Sequence, residues 1–234
     1  MPETQDVSLL ALIPAWNEAE RLGKIVSRAA RHLAVLVIDD GSSDKTALVA
    51  KEAGAQVVSH GVNRGKGVAL RTGFRWALEH GAEGVVTLDA DGQHEPDEIP
   101  ALMAAWRATG ADLVIGRRDF SKMPFPRGQS NALGSWMLSR VLAQPIYDNQ
   151  CGFRLYAKHL LETVDLRTQG FELEVEVIVE AVAAGLKLAW VDVLTIYGTG
   201  KASYFHPVLD SVRFLSTVWW ARGRIAEARA DHAL

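Results

Sequence analysis

One cysteine, Cys151, stands in 234 residues. It excludes an internal disulfide and a multi-cysteine zinc site, and it suits a cytoplasmic protein. Positive charge is also short: 25 Lys and Arg against 28 Asp and Glu give a formal net charge of -3. That excludes the broad basic surface of a non-specific nucleic-acid binder, so no nucleic acid is expected as a partner. Positive charge used on an anionic ligand must then be gathered locally. Long apolar runs are missing too, since Asp, Glu, Lys or Arg interrupts each within about ten residues, against the ~20 that span a bilayer. The first six residues, Met-Pro-Glu-Thr-Gln-Asp, lack a basic n-region, and no signal peptide is expected. A soluble or peripheral cytoplasmic protein is the reading. With 48% hydrophobic and 23% charged residues, disorder is excluded.

What is present is an alternation of short apolar runs and helical periods. Candidate strands are Val7–Ile13, Ala34–Ile38, Gln56–Ser59, Gly84–Leu88 and Asp112–Ile115. Helical segments lie between them at Glu18–His32, Ser43–Ala53, Lys66–His80 and Pro96–Thr109. In the first, Leu22, Ile25, Val26 and Ala29 paint one apolar face. Strands without strict alternation, separated by helices, predict an α/β fold with a mostly parallel sheet covered on both sides. Such sheets bind ligands beyond the carboxyl ends of their strands. The second half predicts a helix over Ser130–Ala143, a strand at Phe153–Tyr156, a helix over Phe171–Ala184, a strand at Leu188–Ile196 and a last helix over Pro207–Ala221. With no repeat or linker, one domain over 1–234 is expected, a nucleotide half to about residue 116 and an acceptor half from 117.

Acidic clusters fall where a parallel sheet places ligands. Asp39 and Asp40 end one strand, followed by Gly41-Ser42-Ser43-Asp44. They can accept from a base or a ribose, or sit as solvated acids on a capped turn. Asp89-Ala90-Asp91-Gly92-Gln93-His94 ends another strand. Alternation puts Asp89 and Asp91 on one side, and with Gln93 and diphosphate oxygens they make a hard site for Mg²⁺ or Mn²⁺. His94 can serve a phosphate or the metal, or stand behind the acids. Gly61-Val62-Asn63-Arg64-Gly65-Lys66-Gly67 opens a helix and favours anions, yet its spacing fits neither a P-loop nor the dinucleotide fingerprint.

Taken in order, Ile13-Pro14-Ala15-Trp16-Asn17-Glu18, Asp39-Asp40-Gly41-Ser42-Ser43-Asp44, Asn63-Arg64-Gly65-Lys66-Gly67 and Asp89-Ala90-Asp91-Gly92-Gln93-His94 resemble the motifs of family 2 glycosyltransferases. Within that family the chain resembles the polyprenyl- (dolichol-) phosphate sugar synthases. The resemblance continues through Gly116-Arg117-Arg118, the run from Asp148 to Tyr156, Phe171-Glu172-Leu173-Glu174 and Thr195-Ile196-Tyr197, and covers about Leu9 to Phe214. It implies a GT-A type, Rossmann-like fold and inverting, metal-assisted transfer from a nucleotide-diphosphate sugar, GDP- or UDP-linked. By position, Pro14, Asn17 and Glu18 line the nucleoside pocket with Asp39 and Asp40, and Lys66 sits near the base or ribose. Asp89, Asp91 and Gln93 hold the metal on the diphosphate. Arg117, Arg127 and Lys201 neutralise phosphates, or form an ordinary solvated face. Gly200-Lys201-Ala202-Ser203-Tyr204 only partly matches the basic loop of the lipid-phosphate enzymes, and the membrane helices of some relatives are absent.

The catalytic set on this reading is Asp91, Arg117, Glu172 and Glu174. An ionised phosphate acceptor attacks unaided, its second pKa being ~6. A hydroxyl acceptor needs a base, for which Glu172 and Glu174 are the candidates, unless they cap or pair at a helix start. Leu133, Trp136, Met137, Arg140 and Val141 form a stripe, as do Val208, Val212, Leu215 and Trp219, with Trp220, Arg222 and Arg224 beyond. Both suit a lipid headgroup interface and peripheral contact at the inner face of the membrane, or packing on a core or in a dimer. Rival readings are a nucleotidyltransferase and a nucleotide-sugar-binding protein without catalysis.

Overall fold

The computed structural model describes residues 8–123, 125–170, 172–196 and 207–231, with side chains in the last helix from 217 to 230. The strands are β1 (Leu9–Ala15), β2 (Ala34–Asp39), β3 (Gln56–Ser59), β4 (Gly84–Thr87), β5 (Leu113–Arg117), β6 (Arg154–Ala157) and β7 (Leu188–Asp192). The helices are α1 (Ala19–Ala29), α2 (Thr46–Glu52), α3 (Lys66–Glu79), α4 (Ile99–Thr109), α5 (Arg127–Leu142), α6 (Lys158–Thr163), α7 (Leu173–Ala183) and α8 (Pro207–Asp231). One seven-stranded sheet runs in the order β3-β2-β1-β4-β6-β5-β7. β1 pairs in parallel with β2 and β4, β2 with β3, and β5 with β7, while β6 runs antiparallel between β4 and β5. The expected α/β class and mostly parallel sheet are what the chain adopts.

β4 is buried at every position and β1, β2 and β5 at nearly every one, which is why their sequences show continuous apolar runs without alternation. α1 turns Leu22, Ile25, Val26 and Ala29 inward, the face its spacing predicts. Pro100 stands in the first turn of α4, where its missing N–H costs no helical bond, and a 3-10 turn at Pro96–Glu98 leads into it. Buried residues from both halves of the chain join one apolar cluster.

The antiparallel β6 has a mechanical cause. α5 packs on α8 and on the 3-10 turn Phe120–Lys122 instead of crossing back along the sheet, so the chain re-enters from the carboxyl end of its neighbours. Residues 148–153 thereby arrive beside the ends of β4 and β5. α6 went unforeseen because it is short and buries a single Leu160. α5 begins at Arg127, ahead of the expected Ser130, and α8 runs to Asp231, past the expected Ala221.

Candidate active site

Beyond the carboxyl ends of β1 and β2, the predicted nucleoside residues knit two loops together. Asn17 takes a left-handed φ of 54°, which Asn tolerates better than most residues. Its N–H donates to Ser42 Oγ at 2.9 Å and its Oδ1 accepts from the Ser43 N–H at 2.9 Å. The Glu18 N–H donates to Thr46 Oγ1 at 2.9 Å, and its carbonyl receives the Leu22 N–H at 3.0 Å at the start of α1. Pro14 is half-buried near the end of β1. Asp39 is buried and accepts from the Ser42 N–H at 3.2 Å. Asp40 is buried as well, and its oxygens accept from the Arg64 and Gly65 N–H groups and face the His60 ring. A turn is present as the sequence offered, but Asp39 and Asp40 are buried instead of solvated and no serine caps α2; Asp40 braces the loop opening α3.

The acids after β4 lie against that same loop. Lys66, the first residue of α3, places Nζ 2.6 Å from Asp89 Oδ1 and 2.6 Å from Glu174 Oε1. Burial alone would lower the Lys66 pKa and raise that of Asp89. The two carboxylates outweigh it for Lys66, which is held well above its usual range; Lys66 and His94 outweigh it for Asp89, which is held well below. Burial and then the Asp89 charge raise the pKa of Asp91, whose Oδ1 accepts from the Gln93 N–H at 2.9 Å. His94 is buried, with Nε2 3.3 Å from Asp89 Oδ2 and a buried Nδ1 that meets no partner. Gly152 is required here because a Cβ would lie 2.6 Å from Asp89 Oδ2.

This donor set fits Mg²⁺ or Mn²⁺. Asp89, Asp91 and Gln93 carry partly exposed oxygens at a strand end, and a cation beside them would offset the repulsion between the two acids, a repulsion Lys66 already relieves at Asp89. Among the described residues no group of three or more His, Cys, Asp or Glu forms a ready-made cage. Mg²⁺ sites built from one or two carboxylates and ligand phosphates need none.

The glycine-rich loop is clamped from its other side. Glu176 on α7 accepts from the Arg167 N–H at 2.9 Å, the Thr168 N–H at 3.0 Å and Thr168 Oγ1 at 2.6 Å. The segment so fixed presents Gln169 O to the Gly67 N–H at 2.9 Å. A Cβ on Gly67 would meet Gln169 C at 2.7 Å and Thr168 O at 2.8 Å, both backbone. Gly67→Ala is therefore expected to cost about 1–3 kcal/mol and to weaken nucleotide binding. Unfolding midpoints in urea beside isothermal titration with UDP and GDP test it, and an unchanged midpoint would show that the clamp yields freely.

On the β5 side two adjacent arginines part. Arg118 is buried, pairing Nε and Nη2 with Asp148 at 2.6 and 2.9 Å. Arg117 points outward, its guanidinium 2.5 and 2.7 Å from the Asp192 carboxylate and 5.2 Å from the centre of the Tyr147 ring. It borders a cavity of about 570 Å³ shared with Arg118, Lys122, Tyr147, Asp192 and Leu194. Arg154 is fully buried and donates to the carbonyls of Cys151, Glu174 and Asn149 at 2.6, 2.6 and 3.1 Å. It ties residues 149–151 to the start of α7. Cys151 is buried and its thiol is pushed up to about 12, chiefly by burial, so it stays protonated and inert. Glu172 is partly buried just before α7. Arg127 is half-buried at the start of α5, and Lys201 lies outside the described residues.

The structure thus gathers Asn17, Asp39, Asp40, Lys66, Asp89, Asp91 and Glu174 from the loops after β1, β2 and β4 and the starts of α3 and α7, and sets Arg117 apart on the Asp192 side. His60 and Glu176 were not foreseen, and Asp148, which opens one of the matched motifs, was given no role. Their signal is partner chemistry across long sequence separations, which no local pattern carries.

A mostly parallel sheet with an acid pair beyond β4 and a glycine-rich loop opening the helix before it is the GT-A type arrangement that the sequence resemblance implies. Residues 11–165 match the family described as Glycosyl transferase family 2, and the chain belongs to that family. It is similar to the polyprenol monophosphomannose synthase of Mycolicibacterium smegmatis, 31% identical over 94% of this chain and 89% of that one. It is 32% identical to the undecaprenyl-phosphate mannosyltransferase of Micrococcus luteus, over 79% of this chain and 82% of that one. Among solved structures, glucosyl-3-phosphoglycerate synthase from Mycobacterium tuberculosis, crystallised with Mn²⁺, UDP and glucosyl-3-phosphoglycerate, superposes with a TM-score of 0.73 at 20% identity. That likeness covers 93% of this chain and 81% of the other, and at that identity it establishes the fold.

Proposed function

We propose that the protein transfers a sugar from a GDP- or UDP-linked donor to a polyprenyl (dolichyl-type) phosphate, with inversion and with Mg²⁺ or Mn²⁺. The observation that carries the donor half is the Asp89–Asp91 pair set against the α3 loop through Lys66. Residues to about 116 then form the nucleotide half, and those from 117 the acceptor half, within one domain. Pro14, Asn17, Glu18 and Asp39 border the nucleoside, with Asp40 and Lys66 shaping the loop. Asp89, Asp91 and Gln93 hold the cation, which offsets the charge developing on the departing diphosphate. Arg117, Arg127 and Lys201 are assigned to phosphates.

The acceptor follows from two supports. The relatives from M. smegmatis and M. luteus are named for polyprenol and undecaprenyl phosphate, and the likeness covers most of each chain. Glu174 is 4% exposed and engaged by Lys66, which suits an acceptor that needs no base. Glu172 is left as the base should the acceptor be a hydroxyl.

A membrane surface has support on α5. Leu133 and Trp136 are each 57% exposed, and the Arg140 guanidinium lies 5.6 Å from the Trp136 ring centre, while Asn131, Ser135, Leu138 and Leu142 face inward. On α8 Trp219 is exposed; Val208, Val212 and Leu215 lie outside the described side chains. No described helix is long and apolar enough to cross a membrane. Peripheral contact at the cytoplasmic face fits both facts. Paired Leu133→Ser and Trp136→Ala changes are expected to weaken co-sedimentation with liposomes roughly tenfold, from the apolar area withdrawn.

The deciding assay is transfer from radiolabelled UDP- and GDP-sugars to a short-chain polyprenyl phosphate with Mn²⁺. Labelled lipid and free nucleoside diphosphate are expected; pyrophosphate would mark a nucleotidyltransferase. No lipid product from any donor, together with no liposome association, leaves a hydroxyl acceptor or a non-catalytic binder in its place.

A further inference from the structure

Asp40 stands one residue past β2, its N–H held by Ala15 O at 2.8 Å and its side chain 5% exposed. Its carboxylate accepts from the Arg64 N–H at 3.0 Å and the Gly65 N–H at 2.8 Å. The remaining contact is with His60 Nδ1 at 2.6 Å. A carboxylate only accepts, so Nδ1 carries the proton in that contact. The other ring nitrogen meets Thr72 Oγ1, on the second turn of α3, at 3.1 Å. The backbone N–H of His60 is bound to Asp39 O at 2.8 Å, and the side chain is 6% exposed. This imidazole is therefore held at both nitrogens and at its backbone, between the strand ends and the helix that the loop opens.

We infer that His60 is a positioning residue for the donor nucleotide, acting through Asp40 on the loop from Gly61 to Gly67; this rests on the donor site proposed above. The physical reason is orientation. Two backbone N–H groups of the loop converge on one carboxylate, and a carboxylate free to rotate would hold them in several arrangements. The His60 proton fixes the Asp40 rotamer, and Thr72 fixes the ring. Gly41 completes the fit: at φ 72° it lies so near the loop that a Cβ would come within 2.6 Å of Asn63 N. The contact also takes up part of a buried negative charge beneath a loop that faces an anion, which otherwise opposes the ligand.

The test separates positioning from plain support of the fold. His60→Ala and His60→Leu are expected to raise the donor KM, and the Kd for UDP or GDP with Mn²⁺, roughly tenfold while kcat changes less than about twofold. His60→Asn keeps an N–H near the Nδ1 position and is expected to recover most of that loss. His60→Gln reaches towards Thr72 instead, and is expected not to. Amide exchange at Arg64 and Gly65 quickens in His60→Ala and slows again in His60→Asn. If the wild type binds a nucleotide and every variant binds it as tightly, or if the Asn and Gln variants behave alike, the inference is overturned and the donor site stands. If the wild type binds neither UDP nor GDP, the donor site falls and the inference with it. Should the Ala and Leu variants not fold, the Asn and Gln pair decides the question.

Discussion

Asp91→Ala is expected to cut sugar transfer at least about a hundredfold, the loss usual for a group that stabilises developing charge, and to leave the fold at least as stable. The stability half follows from the sign of its pKa shift. Burial and the Asp89 charge raise the Asp91 pKa, so at neutral pH the folded protein carries this carboxylate at a cost. The cost is present above the raised value and is relieved as the pH falls through it towards the ordinary 3.8. Alanine removes it at every pH, whereas Asp91→Asn removes the charge and keeps the shape. Thermal unfolding in chelator should therefore show both variants at or above the wild-type midpoint. Transfer assays with Mn²⁺ should show both nearly inactive. Wild-type turnover by Asp91→Ala in the presence of chelator would remove both the residue and the cation from the proposed chemistry.

The contrast between Asp91 and Asp40 shows what a sequence can and cannot yield. The strand before each acid is a short apolar run, and the acids stand where such a strand ends, so their place at the carboxyl edge was legible. Their company was not. Asp91 lies partly open, while Asp40 is enclosed by His60, Arg64 and Gly65, more than twenty positions away for the loop amides. The same holds for Arg117 and Arg118, neighbours that read alike as basic residues at the end of β5. A strand sends adjacent side chains to opposite faces, so one met Asp192 and the other Asp148. The direction of β6 was hidden for a related reason. α5 buries Asn131 and Ser135 and exposes Leu133 and Trp136, so its periodicity does not report which face turns inward, nor whether that face meets the sheet or α8. In the first half, each strand–helix–strand unit solves its burial locally, and there the reading of the fold ran closest to the structure.

Lys66→Met tests how far that site is held together by one cation. The ammonium stands 2.6 Å from both Asp89 and Glu174, with side chains 16%, 24% and 5% exposed respectively. Removing it leaves two carboxylates facing an apolar side chain, for which a loss of about 3 kcal/mol is expected, the low end for a broken buried pair because Asp89 keeps some water. In a chain of this size that lowers the melting midpoint by about 6–12 °C. The pH dependence has a definite sign. Asp89 is held below its ordinary 3.8, so its share of the stability is present above that value and is lost as the pH falls through the lower folded one. Lys66 is held above its ordinary 10.5, so its share is complete below 10.5 and lost only at higher pH. The gap between wild type and variant is thus widest across the neutral range and narrows in acid. Donor binding should weaken too, since the loop opening α3 loses its tie to the acids after β4. A double-mutant cycle with Glu174→Gln isolates the pair: with the lysine gone, neutralising Glu174 should recover at least about 1 kcal/mol. Additive losses would show that Lys66 and Glu174 touch without stabilising one another, and Glu174 would return as a candidate base.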